Sequence, residues 1–160
     1  MDARSYNACV HEWADALFRF ACKTTGNEED ARDIVQNSFA VLWQKKDQVP
    51  SEKAKAYLFQ VAYNQSVDLF RKQRRIEYQD ELKDTGTVSQ RHHDLKAVLD
   101  RALAQLDEQP RALVLLKDYE GYRYDEIAQI TGLTETQVKV YLHRARKSLK
   151  QYLVSVEHVI

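Results

Sequence analysis

Gly132 splits the stretch from Tyr124 to Leu149 into a short helical pattern and a long one, and few folds accommodate that arrangement. A residue without Cβ adopts the left-handed conformation that ends a helix, so the first pattern stops there. Thr134 and Gln137 follow at capping-box spacing. The hydroxyl accepts from the third helical N–H while the glutamine amide reaches back to the cap. Val138, Leu142, Ala145 and Leu149 share one helical stripe that has to be buried. Thr136, Lys139, Val140, His143 and Lys147 fall largely on the other side, flanked by Arg144, Arg146 and Lys150. From Lys139 to Lys150 there are five Lys or Arg residues and no carboxylate. Solvated surface helices usually mix Glu with Lys. An apolar back with an uncompensated cationic front suits a polyanion instead. The segment of about 124–147 therefore reads as a helix-turn-helix whose second helix contacts nucleic acid.

The rest of the chain is helical in pattern as well. Hydrophobic residues make up 44% of the 160, only four Gly and two Pro interrupt them, and no alternating strand pattern appears. The expected fold is all-α, with two small helical domains joined by a flexible linker. A formal net charge of zero argues against a simple basic DNA-coating protein, so local clusters matter more than the total. Residues 1–75 carry 12 basic and 10 acidic side chains, 76–96 carry 3 and 5, and 97–160 carry 9 and 9. Two cysteines, Cys9 and Cys22, are too few for a disulfide scaffold and fit a reducing cytoplasm. No apolar run approaches the roughly 20 residues that span a bilayer, and no signal-peptide core begins the chain. A soluble, cytoplasmic protein is expected.

The first lobe is read as 1–75. Its opening helix, 6–23, places Tyr6, Val10, Trp13, Leu17, Phe18 and Cys22 at core-like intervals. Asn27 is the natural cap of a second helix whose first turn is acidic, Glu28-Glu29-Asp30. That helix presents Ala31, Ile34, Val35, Ser38, Phe39 and Leu42 on one face and ends near Trp43. The polar stretch Gln44 to Lys55 reads as a loop around Pro50. From Ala56 a third helix turns Leu58, Val61, Ala62 and Leu69 inward and finishes in Arg71-Lys72-Gln73-Arg74-Arg75. Residues 76–96 have linker composition. The second lobe, 97–160, opens with the stripe Leu99, Leu103 and Leu106, restarts at Asp107-Glu108-Gln109-Pro110, and turns into the helix-turn-helix at Glu120-Gly121-Tyr122.

With Asp33–Trp43, Leu106…Gln109-Pro110-Arg111, Glu120-Gly121-Tyr122 and Val138–Leu149 in this order, the chain closely resembles the extracytoplasmic-function (ECF, group IV) sigma factors of the sigma-70 family. The resemblance covers nearly all of 6–153. It implies a region 2 lobe that binds core RNA polymerase and the −10 element, and a region 4 lobe that reads the −35 element. In such a protein Asp33, Gln36, Asn37 and Ala40 would meet the clamp coiled coil of the β′ subunit, and region 4 would meet the β flap. Lys53, Lys55, Tyr57, Asn64, Arg71, Lys72, Arg74 and Arg75 would melt and hold the −10 strand, work that wants aromatic platforms and a cationic track. Tyr57 and Tyr63 read equally well as core. The loop sequence Val49-Pro50-Ser51-Glu52-Lys53 departs from the Phe-x-Gly-x-Ser of many members, so the resemblance does not name the flipped base. Thr136, Gln137, Lys139, Val140, His143 and Arg144 would approach −35 base edges or nearby phosphates, and Arg146 and Lys147 are better placed for phosphate. Arg123 stands where many relatives carry a capping Ser or Thr. An anti-sigma factor is the implied regulator, with no cofactor and no small-molecule substrate.

Other classes fit less well. His92-His93-Asp94 in a polar linker, or Cys9 with His11 and Cys22, lack the converging three or four ligands of a transition-metal site. No phosphate-cradling glycine loop or nucleophile elbow appears, so an enzyme is not expected. The remaining alternative is a stand-alone helix-turn-helix transcriptional regulator that dimerises on a palindrome. The cationic end of the third helix speaks against it.

Overall fold

The computed structural model describes residues 1–79 and 95–159. Among them lie seven α-helices and no strand. Helix α1 (Ala3–Thr25) starts on Asp2, whose carboxylate accepts the Ser5 N–H at 2.8 Å, and stops at Gly26 with φ 71°. Helix α2 (Glu28–Gln44) starts on Asn27, whose side-chain oxygen accepts the Asp30 N–H at 3.0 Å. Three acids in its first turn face the positive end of the helix dipole. A turn and the short 3₁₀ segment Ser51–Lys53 lead into α3 (Ala54–Gln79). These three helices pack pairwise as the first lobe.

The second lobe comprises α4 (Leu95–Ala104), α5 (Glu108–Val114), α6 (Tyr124–Thr131) and α7 (Glu135–Val159). A π-helical segment, Leu115–Tyr119, prolongs α5. There Glu120 N–H bonds the Leu115 carbonyl and Tyr122 N–H the Leu116 carbonyl, which rotates the chain out of helical register. Gly132 ends α6 at φ 79°. Thr134 and Gln137 form the expected reciprocal box, at 3.0 and 3.1 Å, and start α7.

Three expectations are corrected. The buried face of α1 is Cys9, Ala16, Leu17, Phe20 and Ala21, while Tyr6, Val10, Trp13, Phe18 and Cys22 are half-buried. Helix α1 packs on α2 and α3 and also touches α4, α5 and the π segment, so its apolar band is wider than one stripe. Helix α3 begins at Ala54 and buries Leu58, Phe59, Ala62 and Tyr63, whereas Val61 and Leu69 are only half-buried. Leu99 is likewise half-buried beside a buried Leu103 and Leu106. Helices α3 and α4 reach Gln79 and Leu95, into the stretch read as linker, and His92, His93 and Asp94 lie outside the described residues.

The lobes close on each other around one continuous core. Tyr122, which follows the π segment, sets its ring edge-on to Phe59 of α3 at 5.1 Å, and Phe59 meets Phe20 of α1 at 5.5 Å. Arg111 of α5 crosses the seam and donates to the Thr24 carbonyl at the end of α1 (2.6 Å). Among the described residues no helix is long and apolar enough to cross a membrane.

Candidate nucleic-acid interface

The stripe Val138, Leu142 and Ala145 is buried against α5 and α6. That fixes the rotation of α7, and its opposite side faces solvent. Thr136, Gln137, Lys139, Val140, His143, Arg144, Arg146 and Lys147 are all exposed there, Val140 among them at 41%. Some are already engaged. The Gln137 side-chain oxygen is held by the Thr134 N–H at 3.0 Å, so its amide nitrogen is the end left to donate outward. Arg146 Nε donates to Asp118 at 3.0 Å, a neighbour that draws this guanidinium back toward the π segment. Lys139 lies 5.3 Å from the Tyr124 ring centre and Arg144 5.8 Å from that of Tyr141, aromatic seats that limit where each cation can swing.

At the start of α6, the Glu126 carboxylate accepts the Arg123 N–H at 3.1 Å. The Arg123 side chain, having only donors, cannot return the bond and pairs with Asp125 at 3.0 Å instead. Helix α6 is therefore capped from one side only.

The residues read as the −10 set divide into three groups. Lys53 and Tyr57 line a hollow of about 360 Å³ with Lys45, Gln48, Val49 and Pro50. Its far wall includes Gln129 of α6, a residue no sequence signal points to. Asn64, Arg71, Lys72 and Arg75 are exposed along α3. Lys55 and Arg74, by contrast, are taken up by the second lobe. Lys55 Nζ sits 2.9 Å from Glu126 and 4.0 Å from the Tyr122 ring centre, and Arg74 bonds Asp107 at 2.6 Å. The Glu126 carboxyl is held below its usual range because the bonds from Lys55 and Arg123 outweigh its burial. Tyr63 is core: it is 6% exposed and its hydroxyl accepts from Gln109 at 3.3 Å.

On α2, Asp33, Gln36, Asn37 and Ala40 form an exposed row opposite Ile34, Ser38, Phe39 and Leu42. Beside the end of that row, Trp43 is 43% exposed, with the Tyr6 ring edge-on at 4.9 Å and Lys46 Nζ 3.6 Å from its ring centre. An apolar ring at a helix end gave no sequence signal of standing outside the core.

Comparison with known proteins places this geometry. Residues 9–76 match the family described as Sigma-70 region 2, and 96–149 match Sigma-70, region 4. The ECF RNA polymerase sigma factor SigL of Mycobacterium tuberculosis is 33% identical over 157 residues, covering 93% of this chain and 89% of that protein. The ECF RNA polymerase sigma factor SigE of Mycolicibacterium smegmatis is 30% identical over 158 residues; the match takes in 93% of this chain and 62% of that longer relative. Among solved structures, CnrH in complex with the cytosolic domain of CnrY aligns with a TM-score of 0.73 at 25% identity, over 96% of this chain and 90% of that one. The sigma factor RpoE of Bartonella quintana, crystallised with the anti-sigma factor NepR, shares the fold with a TM-score of 0.78 at 24% identity, over 94% and 98%.

Proposed function

Because the chain belongs to the extracytoplasmic-function RNA polymerase sigma factors, we propose that its two lobes divide a promoter between them. The protein binds core RNA polymerase and directs promoter-specific initiation. In this reading residues 1–75 take the polymerase and the −10 element, 76–96 link, and 97–160 take the −35 element. The row Asp33, Gln36, Asn37 and Ala40 on α2 meets the β′ clamp. Lys53, Tyr57 and Asn64 lie at the site of strand capture, and Lys55, Arg71, Lys72, Arg74 and Arg75 follow the backbone. RpoE was crystallised with the anti-sigma factor NepR, and CnrH is seen in complex with the cytosolic domain of CnrY. Control by an anti-sigma factor is carried over to this chain from the first of these. The chain supplies specificity through binding energy while polymerase performs the chemistry. It is therefore not an enzyme itself, and it works in the cytoplasm.

The observation that carries this reading is α7, whose apolar stripe is buried while its carboxylate-free cationic front is exposed. Two expected results distinguish its residues. Lys147→Ala should weaken binding of the holoenzyme to all duplexes alike and lower the salt slope of log K by about 1. Arg144→Ala should lose about 1–3 kcal/mol on the preferred −35 sequence and relax the choice of base at one position. Competition binding across a randomised −35 library at several salt concentrations reads both; equal losses on all sequences for both variants would overturn the division.

The decisive test is transcription in vitro with bacterial core polymerase on a genomic promoter library. New start sites that share two upstream motifs at fixed spacing are expected. No new starts, together with unaided binding to palindromic DNA, would favour the stand-alone regulator.

A further inference from the structure

Among the described residues four ion pairs join the lobes and share one polarity: Arg19–Glu120 (3.1 Å), Lys23–Asp100 (3.1 Å), Lys55–Glu126 (2.9 Å) and Arg74–Asp107 (2.6 Å). In each the cation belongs to the first lobe and the carboxylate to the second. Residues 100–126 hold seven carboxylates, Asp100, Asp107, Glu108, Asp118, Glu120, Asp125 and Glu126, against four cations. The second lobe thus has an acidic side and a basic one, α7. Four of the seven carboxylates are seated on cations of α1 and α3, while Asp118 pairs with Arg146 of α7, which packs on α4, α5 and α6 with the rest of its cationic front in solvent.

Lys55 and Arg74 are also two of the cations read above as the track for the −10 strand, and Gln129 of α6 walls the hollow beside Lys53 and Tyr57. A strand that followed α3 would bring phosphates to the places where Glu126 and Asp107 now bring carboxylates. We infer that the second lobe is an internal stand-in for the promoter strand, occupying two of the α3 cations of the free chain, Lys55 and Arg74, so that single strands engage the whole track only after the lobes part. This rests on the proposed role of α3. The pairs are partly solvated, so each is weak and screened by salt. A polyanion or a partner that holds the lobes apart can displace them. The closed form hides one promoter surface and leaves the other, α7, open.

The test uses the full chain carrying D100N, D107N, E120Q and E126Q. Asp107 makes no side-chain cap bond to α5, so Asn removes none, and Gln retains the acceptor for the Arg123 N–H at 126. A control carrying E12Q, D15N, E29Q and D47N undergoes the same charge change at exposed acids outside the four pairs. Circular dichroism confirms folding of both. The probe is a short mixed-sequence DNA single strand at low salt, and scattering reads compactness. The interface variant should expand and bind the strand roughly tenfold more tightly than the parent, with the control gaining far less. Adding K55A and R74A should remove that gain. Equal gains in the two variants, or no expansion, would overturn the lock. If the interface variant stays compact yet initiates transcription with polymerase as the parent does, the lock fails while the sigma reading stands. If it expands and binds the strand, but K55A and R74A leave the gain intact, the assignment of the α3 cations fails, and the inference with it. Glu126→Gln alone should give a fraction of the gain and guards against cumulative damage from four changes.

Discussion

Replacing Arg111 by leucine should remove about 3–5 kcal/mol of stability, although leucine fits the apolar surroundings. Arg111 is 6% exposed and, among the described residues, meets no carboxylate at bonding distance. Instead its guanidinium donates to three backbone carbonyls: Thr24 at 2.6 Å, Ala104 at 3.1 Å and Leu106 at 2.9 Å. Thr24 and Ala104 lie in the last turns of α1 and α4, where carbonyls lack helical partners and the dipole is negative. The cation therefore serves two helix ends in different lobes at once. Burial pulls its pKa down, against the raising fields of Glu108 and Asp107, but a guanidinium remains charged at neutral pH. Leucine would strand three acceptors in a dry seam, each worth about 1–3 kcal/mol when unsatisfied, with partial relief from entering water. Lysine, a point donor without the planar fork, should recover only part of the loss. Urea denaturation of the full chain measures this. A loss below about 1 kcal/mol for Arg111→Leu would show that the carbonyls find other donors and that the seam does not depend on this residue.

Legibility of the fold followed the range of the interactions that decide it. The helix-turn-helix could be read because its signals are local: a glycine at positive φ, a capping box, and a stripe whose opposite face lacks carboxylates. Helix α2 was legible for the same reason, through Asn27 and the acids behind it. Helix α1 was legible in part: Leu17 is buried while Tyr6, Val10, Trp13, Phe18 and Cys22 pack against the core half-buried, because its apolar band serves two contacts and periodicity does not name what covers a face. Phe18 and Cys22 look inward in the sequence but line a cleft of about 540 Å³ between the lobes. The π segment left no trace, since one widened rung of hydrogen bonds requires no special residue. Yet it delivers Tyr119, Glu120 and Tyr122 to the first lobe: Tyr119 meets Lys23 at 5.3 Å, Glu120 pairs with Arg19, and Tyr122 seats on Phe59. The candidate site divides along the same line. Exposure of the α7 front follows from its own stripe, whereas the capture of Lys55 and Arg74 depends on carboxylates far away in sequence.

Phe59→Ala should be as damaging as the loss of Arg111, at about 3–5 kcal/mol, and its consequences should reach both lobes. The ring is fully buried between Phe20 at 5.5 Å and Tyr122 at 5.1 Å, inclined by 62° and 81°, the edge-on geometry that aromatic quadrupoles favour. Truncation leaves a cavity in a core that runs unbroken from α1 to α7, so the chain should lose both lobes in one transition. Tyr122→Ala removes the second lobe's side of the same contact and also the ring under Lys55. A double-mutant cycle between the two positions should show a coupling of about 0.5–1.5 kcal/mol. Amide exchange should place the loosening in α3 and α6 together. Coupling near zero, with exchange faster in α3 alone, would mean that the rings are merely adjacent and that charge pairs and Arg111 hold the lobes closed. The size of this coupling also bears on function. If the lobes divide a promoter as proposed and part to do so, a partner can part them only by its differential affinity for the open form. An aromatic contact insensitive to salt, beside ion pairs that are sensitive to it, would set a floor under that requirement which no change in ionic strength removes.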